Sequence, residues 1–519
     1  MTLRKDNSHT TLTTKKVIMT QSNPQIKNTS PETSQTDNNT GNQDDSSNSY
    51  FLSADAFLLT ATGIAAIAGF LYGYDTGIIS GALLQITHDF SLSAHAQELV
   101  TSAILVGAVI GALVCGKISA AIGRRYTVMA VAAIFAIGVL ASGWSDSAIT
   151  LALARIVLGF AVGGASQIVP VYIAELAPPH KRGRLVTFFN ISIGVGILTA
   201  GLVGAFLQDI WTWRTMFSVA AIPALILMLG MLPLPESPRW LVGQKRTKDA
   251  RIALNMVRET DREVRHELRN IQKVHDKVER KSITGWRDLK QPWLRPALFA
   301  GLGVAAFTQL SGIEMMIYYT PTFLTDAGFS RSAALHSALG VAVIYLVLTI
   351  FGKLVVDHIG RRTLTLWMMP GAIISLLLLG TVFVMNSHGG QHRWLVVSCL
   401  FAFMVFNSGG IQVIGWLIGS EVYPMGIREK ATSLHAAVLW GSNLLLTATA
   451  LSLVNILGIG GAMWFYALLN FLGFLFIYFF VPETRGRSLE DIEISLKEGR
   501  FYPKKKQVSN IAEGSSARS

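Results

Sequence analysis

The chain has 519 residues, of which 51% are hydrophobic and 15% charged, and its mean hydropathy is +0.43. A water-soluble protein of this length carries far more charge, so a soluble globular class is excluded. The net charge of +12 would suit a nucleic-acid partner, but its distribution excludes one. The Lys and Arg residues cluster between alternate apolar runs, as membrane topology and anionic lipid require.

In chain order, residues 1–50 are rich in Ser, Thr, Asn and Asp and hold no apolar core, which excludes a cleavable signal peptide and predicts a disordered tail. Met19 is a possible alternative start. Apolar runs long enough to cross a bilayer then follow, about twelve in all. They begin near Phe57, Gln97, Thr127, Ile149, Leu185, Met216, Pro296, Ala333, Leu364, Trp394, Thr432 and Ala462. A polar segment after the sixth carries Leu254, Val257, Val264, Leu268 and Ile271 at helical spacing, predicting short amphipathic helices. The expected division is a tail at 1–55, a six-helix bundle at 56–235, linker helices at 236–293, a second six-helix bundle at 294–484 and a tail at 485–519. The fold class is an all-α polytopic membrane protein with twelve transmembrane helices in two pseudo-symmetric bundles. Basic clusters at Arg124 and Arg125, at Lys181, Arg182 and Arg184, at Arg361 and Arg362, and at Arg428 and Lys430 mark one face as cytoplasmic, with both termini on it. Cys115 and Cys399 fall in helices of different halves and read as reduced apolar fillers, so neither a disulfide nor a metal framework is available.

The halves repeat each other. Gly123-Arg124-Arg125 after the second run recurs as Gly360-Arg361-Arg362 after the eighth. Glu175, Pro178 and Arg182 recur at identical spacing as Glu421, Pro424 and Arg428. Paired repeats place a binding site at their interface near the midplane, reached by rocking one half against the other.

Two charges fall where lipid penalises them. Asp75 interrupts the first apolar run and Arg155 the fourth; a charge at the centre of a membrane helix costs about 2.5–3.5 kcal/mol on insertion scales. Each can compensate the other. Attraction favours the ionised carboxylate and desolvation its protonated form, and such a balance can load and discharge a proton.

The motifs GFLYGYDTGIISGAL, R-x-x-x-G at Arg155 to Gly159, PVYIAELAPPHKRG, PESPRWL, QLSGIEMMIYYTP, D-x-x-GRR at 357–362 and PETRGRSLE stand in an order that resembles the sugar porters of the major facilitator superfamily. The resemblance covers about residues 57–495 and is nearest to bacterial sugar–proton symporters. It implies that Asp75 is the protonation site and Arg155 its partner; proton-independent relatives commonly carry Asn at the first position. It also implies a cytoplasmic gate of Arg124, Arg125, Glu175, Arg182, Asp357, Arg361, Arg362, Glu421 and Arg428, latching the halves when the site faces outward. The first repeat departs, with Ala120 where the second keeps Asp357.

A neutral polyol needs amides that donate and accept, and aromatic faces for its C–H surface. Thr308, Gln309, Glu314, Tyr318 and Tyr319 in the seventh helix, Asn190 in the fifth, and Trp416, Trp440 and Asn443 in the tenth and eleventh are the candidates, with Gln309 and Trp416 matching the family's sugar contacts. The pocket is altered: Thr308-Gln309 replaces a Gln pair, Glu314 an Asn, Asn190 a Gln, and QVIGW lacks the usual prolines. Glu314 is open to three roles: accepting sugar hydroxyls, titrating a second time, or pairing with a cation.

The expected function is monosaccharide import by proton symport, with no cofactor, no nucleic-acid partner, and membrane lipid and sugar as the partners. A monomer suffices, and the expected location is a bacterial inner membrane. A sugar or polyol uniporter and a transporter-like sensor are the alternatives; proton uptake during sugar entry separates the first, and a long signalling extension would mark the second. Nucleophile elbows, metal-ligand clusters and phosphate loops are absent from the sequence, and an enzyme is not expected.

Overall fold

The computed structural model describes residues 53–280, 289–385, 393–424, 427–487 and 489–502. The expected disordered tail and Met19 therefore lie outside the described residues, apart from the tail's last positions, where α1 has already begun at Ala54.

The first bundle consists of α1 (Ala54–Phe90), α2 (Ala94–Ile122), α3 (Arg124–Gly143), α4 (Ala148–Leu176), α5 (Arg182–Phe206) and a sixth pass made of α6 (Trp213–Ser218) and α7 (Ala221–Gly230). The second bundle opens with a pass in two pieces, α11 (Arg295–Leu310) and α12 (Ile313–Asp326). They part at Gly312, whose φ of 91° is open to glycine and strained for other residues. It continues through α13 (Arg331–Ile359), α14 (Arg361–Met385) and a second divided pass, α15 (Arg393–Gly409) and α16 (Ile411–Glu421). Helix breaks at membrane depth free backbone groups and are tolerated where the chain lines a protein interior.

Eleven stretches among the described residues are long and apolar enough to cross a membrane. The last belongs to α17 (Arg428–Phe480), whose 53 residues would run to roughly 80 Å as one straight helix, far beyond a hydrocarbon core of about 30 Å. Non-helical backbone at Gly458 (φ 72°, ψ 165°) divides it into two passes, which completes the twelve.

Glycines bring the helices close enough to define the centre. A Cβ on Gly107 of α2 would lie 2.0 Å from the Ile156 carbonyl oxygen of α4, and one on Gly159 of α4 would lie 1.8 Å from that of Ile104. On α1, a Cβ at Gly73 would lie 1.9 Å from the Ile193 oxygen of α5. Such small-residue contacts let backbones pack directly where lipid supplies no hydrophobic drive between helices. They fix the faces from which Asp75 and Arg155 project.

Between the bundles lie α8 (Pro238–Gly243), α9 (Thr247–Val257) and α10 (Asp261–Arg280). Leu254, Val257 and Val264 are buried, as their spacing predicts. Arg258 forms a two-pronged pair with Glu267 at 2.6 and 3.0 Å and donates to the Leu176 carbonyl at 2.9 Å, tying the linker to the end of α4. The C-terminal segment carries more structure than a tail: α18 (Leu489–Lys497) buries Ile492 and Leu496 against Leu294 and Ile427, and Phe501 joins them. Cys115 and Cys399 are free and buried.

Candidate functional site

Asp75 on α1 and Arg155 on α4 meet in the first bundle, with the Arg155 Nη1 3.4 Å from Asp75 Oδ1. Both are sealed: Asp75 is 3% exposed and Arg155 0%. A guanidinium has five N–H donors, yet among the described residues Arg155 Nε and Nη2 meet no hydrogen-bond partner, and the Phe217 ring lies 5.5 Å away. Breaking a buried pair by removing one partner costs far more than the pair contributes. The pair thus rests on one long contact, with two guanidinium nitrogens left without a partner among the described residues.

The second bundle presents a polar and aromatic group toward this pair. Gln309, Glu314, Tyr318, Trp440 and Asn443 are all buried, and among the described residues Gln309 Oε1, Glu314 Oε2 and Asn443 Nδ2 meet no hydrogen-bond partner. Glu314 lies within electrostatic reach of Tyr72 on α1 and of Tyr318 and Tyr345. Tyr318 reaches both Glu314 and Asp75, and sits beside Thr76. Trp440 spans the halves: its ring meets Tyr72 edge-on at 5.2 Å, and its Nε1 donates to Ser166 Oγ at 3.3 Å. Unpaired buried amides and carboxylates are costly, so a cluster of them facing aromatic rings is suited to a polar ligand or water.

The other sequence candidates are placed differently. Thr308 donates to its own helix at Val304 O, 2.7 Å away, and packs beneath Gly415. Tyr319 donates to the Thr447 carbonyl at 3.2 Å. Trp416 is half-buried and packs toward His435, whose ring nitrogens lie 2.7 Å from Gly415 O and 3.1 Å from the Tyr423 hydroxyl. Asn190 is half-buried on α5, with no hydrogen bond to the cluster among the described residues. Tyr345, an eighth-helix position where some relatives of the resembled family carry Asn, falls beside Glu314, whereas Tyr72 and Ser166 are not among the sequence candidates; Tyr72 lies within the GFLYGYDTG motif.

At the basic face the two halves build the same network. Arg124 Nε donates to Glu175 at 3.0 Å and Ser237 Oγ donates to the same carboxylate at 2.5 Å. Arg361 Nη2 donates to Glu421 at 2.7 Å, and Thr484 Oγ1 donates to the same carboxylate at 2.5 Å. These pairs run within each half, not across, in this conformation. Asp357 adds a 2.7 Å pair to Arg361, whereas the Ala120 carbonyl accepts from Trp240 Nε1 at 2.9 Å. Arg182 and Arg428 hold carbonyls of their own half, at Ala174 (2.8 Å) and Tyr423 (3.2 Å). The Arg125 and Arg362 side chains likewise donate to the Met231 and Tyr478 carbonyls. Across the halves, Gln167 Nε2 donates to the Thr432 carbonyl at 3.4 Å.

Sequence reasoning missed two members of this network. Glu236 accepts from the backbone N–H groups of Arg124 (2.9 Å), Arg125 (3.1 Å) and Ser237 (2.8 Å). Glu483 accepts from those of Arg361 (2.8 Å), Arg362 (3.1 Å) and Thr363 (3.2 Å). Each carboxylate covers the N-terminus of a helix, where unpaired donors and the helix dipole attract an anion. Burial raises the Glu236 carboxyl above its ordinary range, against the pull of those N–H groups. The signal was the Pro-Glu-Ser at 235–237 recurring as Pro-Glu-Thr at 482–484.

Twelve passes in matched halves, closing on a buried ion pair and a polar midplane, define a secondary transporter of the major facilitator fold. The chain belongs to the sugar transporter family: the family model described as sugar (and other) transporter matches residues 61–496. It is 37% identical over 436 residues to a D-xylose transporter of Levilactobacillus brevis, covering 83% of this chain and 94% of the relative. It is 35% identical over 435 residues to the glucose transporter GlcP of Staphylococcus epidermidis, covering 84% and 96%. Its fold matches the proton:xylose symporter XylE of E. coli, bound to 6-bromo-6-deoxy-D-glucose, with a TM-score of 0.71 and 28% identity over 84% of this chain and 98% of that one.

Proposed function

We propose that this protein imports a monosaccharide, a pentose or a hexose, by proton symport with alternating access. The observation that carries the reading is the Asp75–Arg155 pair: fully buried, joined by a single 3.4 Å contact, and flanked by unspent guanidinium donors. Protonation of Asp75 frees Arg155 and permits the outward-to-inward swing; loss of the proton on the basic side re-forms the pair. One elementary charge moving through 100 mV is worth about 2.3 kcal/mol, roughly fiftyfold in a concentration ratio.

The sugar sits between the halves, against Gln309, Glu314, Tyr318, Trp440 and Asn443, with Trp416, Thr308, Tyr319 and Asn190 completing the wall once the halves rock. The orphaned atoms on Gln309, Glu314 and Asn443 support that placement. Relatives that carry xylose and glucose support the substrate class. Proton coupling in XylE supports the driving ion. The protein lies in a bacterial inner membrane with the basic face and both termini cytoplasmic, and a monomer holds the whole route. The paired networks of Arg124, Glu175, Arg361 and Glu421 govern closure of the cytoplasmic side.

Uptake into proteoliposomes, with an imposed inward proton gradient and labelled pentoses, hexoses and polyols, tests the reading. Gradient-driven accumulation of a monosaccharide is expected; equilibration that stops at equal concentrations whatever the gradient would leave a uniporter.

A further inference from the structure

We propose that Glu98 is the gate residue of the face opposite the basic one, holding the two halves closed there through Ser452. The proposal rests on the alternating-access reading and adds to it the contact that must break for entry from that side. Glu98 lies in the first turns of α2 and is 4% exposed. Its Oε1 accepts the Ser452 backbone N–H at 2.6 Å, and its Oε2 accepts the Ser452 hydroxyl at 2.6 Å. Ser452 belongs to α17, in the other half, so a single carboxylate closes two hydrogen bonds between the bundles. A carboxylate accepting two hydrogen bonds from the other half makes a firm contact, and Glu98 itself is almost wholly buried.

The surroundings give the latch a purpose. His95, one turn earlier, places Nδ1 3.4 Å from Glu98 Oε2 and 3.1 Å from Ser452 Oγ, and its largely exposed ring stands over the pair. Beneath the pair, Glu98 lies within electrostatic reach of Tyr319 and Tyr466. Tyr319 in turn donates to Thr447, one turn before Ser452. The latch is thus layered directly over the candidate sugar site. Further round the same seam, α5 and α13 meet closely, where a Cβ on Gly201 would come within 3.3 Å of Leu339 and one on Gly194 within 2.8 Å of Leu346. Phe206 of α5 and His336 of α13 also meet edge-on there, 5.5 Å apart. The Glu98 bonds exist only while this face is closed, so they set its share of the conformational equilibrium.

Spin labels at Leu99→Cys on α2 and Ile456→Cys on α17, in a background with Cys115→Ala and Cys399→Ala, read the opening by double electron–electron resonance. Both label sites are exposed, at 52% and 80%. Glu98→Ala is expected to raise the ratio of long-distance to short-distance populations about tenfold. Glu98→Gln keeps one acceptor and is expected to shift it less, and Ser452→Ala, which removes one hydroxyl, shifts it in the same direction. Should Glu98→Ala fail to fold, Ser452→Ala alone carries the test. A distribution identical to the parent's in the variants that fold would overturn the proposal. The distances are read without sugar or gradient, so failure of the latch and failure of the symport reading are separate results.

Discussion

Gly123→Ala probes the architecture of the basic face most sharply. Gly123 has φ 101° and ψ 162°, a region essentially closed to residues with a side chain. A Cβ there would lie 2.3 Å from Glu236 Oε2, so relief requires moving the carboxylate that accepts the N–H groups of Arg124, Arg125 and Ser237. Backbone strain contributes about 1–3 kcal/mol, and the loss of one charge-assisted bond adds about 1.5–3 kcal/mol. The expected cost is therefore about 2.5–6 kcal/mol, a drop of several degrees in the melting temperature. Gly183→Ala is the control: it lies in the first turn of α5, where a Cβ meets nothing within 4 Å. It should be neutral or stabilise by about 0.5–1 kcal/mol. Tryptophan fluorescence melts of the purified protein in detergent make the comparison. Equal melting of the two variants would refute the claim that Gly123 is required for the Glu236 seat.

Arg155→Ala leaves Asp75 buried without a counter-charge and is expected to destabilise by about 3–5 kcal/mol, whereas pairing it with Asp75→Asn should recover much of that loss. The same melts check it; a double variant no more stable than Arg155→Ala would show that the pair is not what seals the site. Glu314→Gln keeps the side-chain shape but gives up one acceptor, and should raise the KM for the transported sugar about tenfold or more while gradient-driven accumulation persists. Initial rates across sugar concentrations read it, and an unchanged KM would remove Glu314 from the sugar site.

The helical passes were legible because apolar runs must hide their backbone and have only one way to do so in lipid. Asp75 and Arg155 were legible for the converse reason, since a charge in such a run is costly and the two need each other. The turn at Gly458 falls between the runs expected from Thr432 and Ala462, but the break at Gly312 was not legible, because a glycine in an apolar run reads equally well as a packing contact, the role Gly107 plays. Tyr72 and Ser166 escaped because their type suits packing, and only the fold sets them against Trp440. Spacing alone does not say which half holds the partner of Arg124 or Arg361. The resemblance implies a latch between halves when the site faces outward, and in the present conformation Arg124 and Arg361 pair within their own halves. Glu98 and Ser452, some 350 positions apart, could be joined only by the packing of α2 on α17.

The central claim is that Asp75 carries the coupling proton. The most direct measurement compares Asp75→Asn with the parent in proteoliposomes, following uphill uptake under an inward proton gradient and exchange of labelled for unlabelled sugar without one. Uphill uptake should be abolished while exchange persists, because the neutral amide mimics the protonated state and leaves the sugar site intact. Undiminished, protonophore-sensitive accumulation by Asp75→Asn would contradict it.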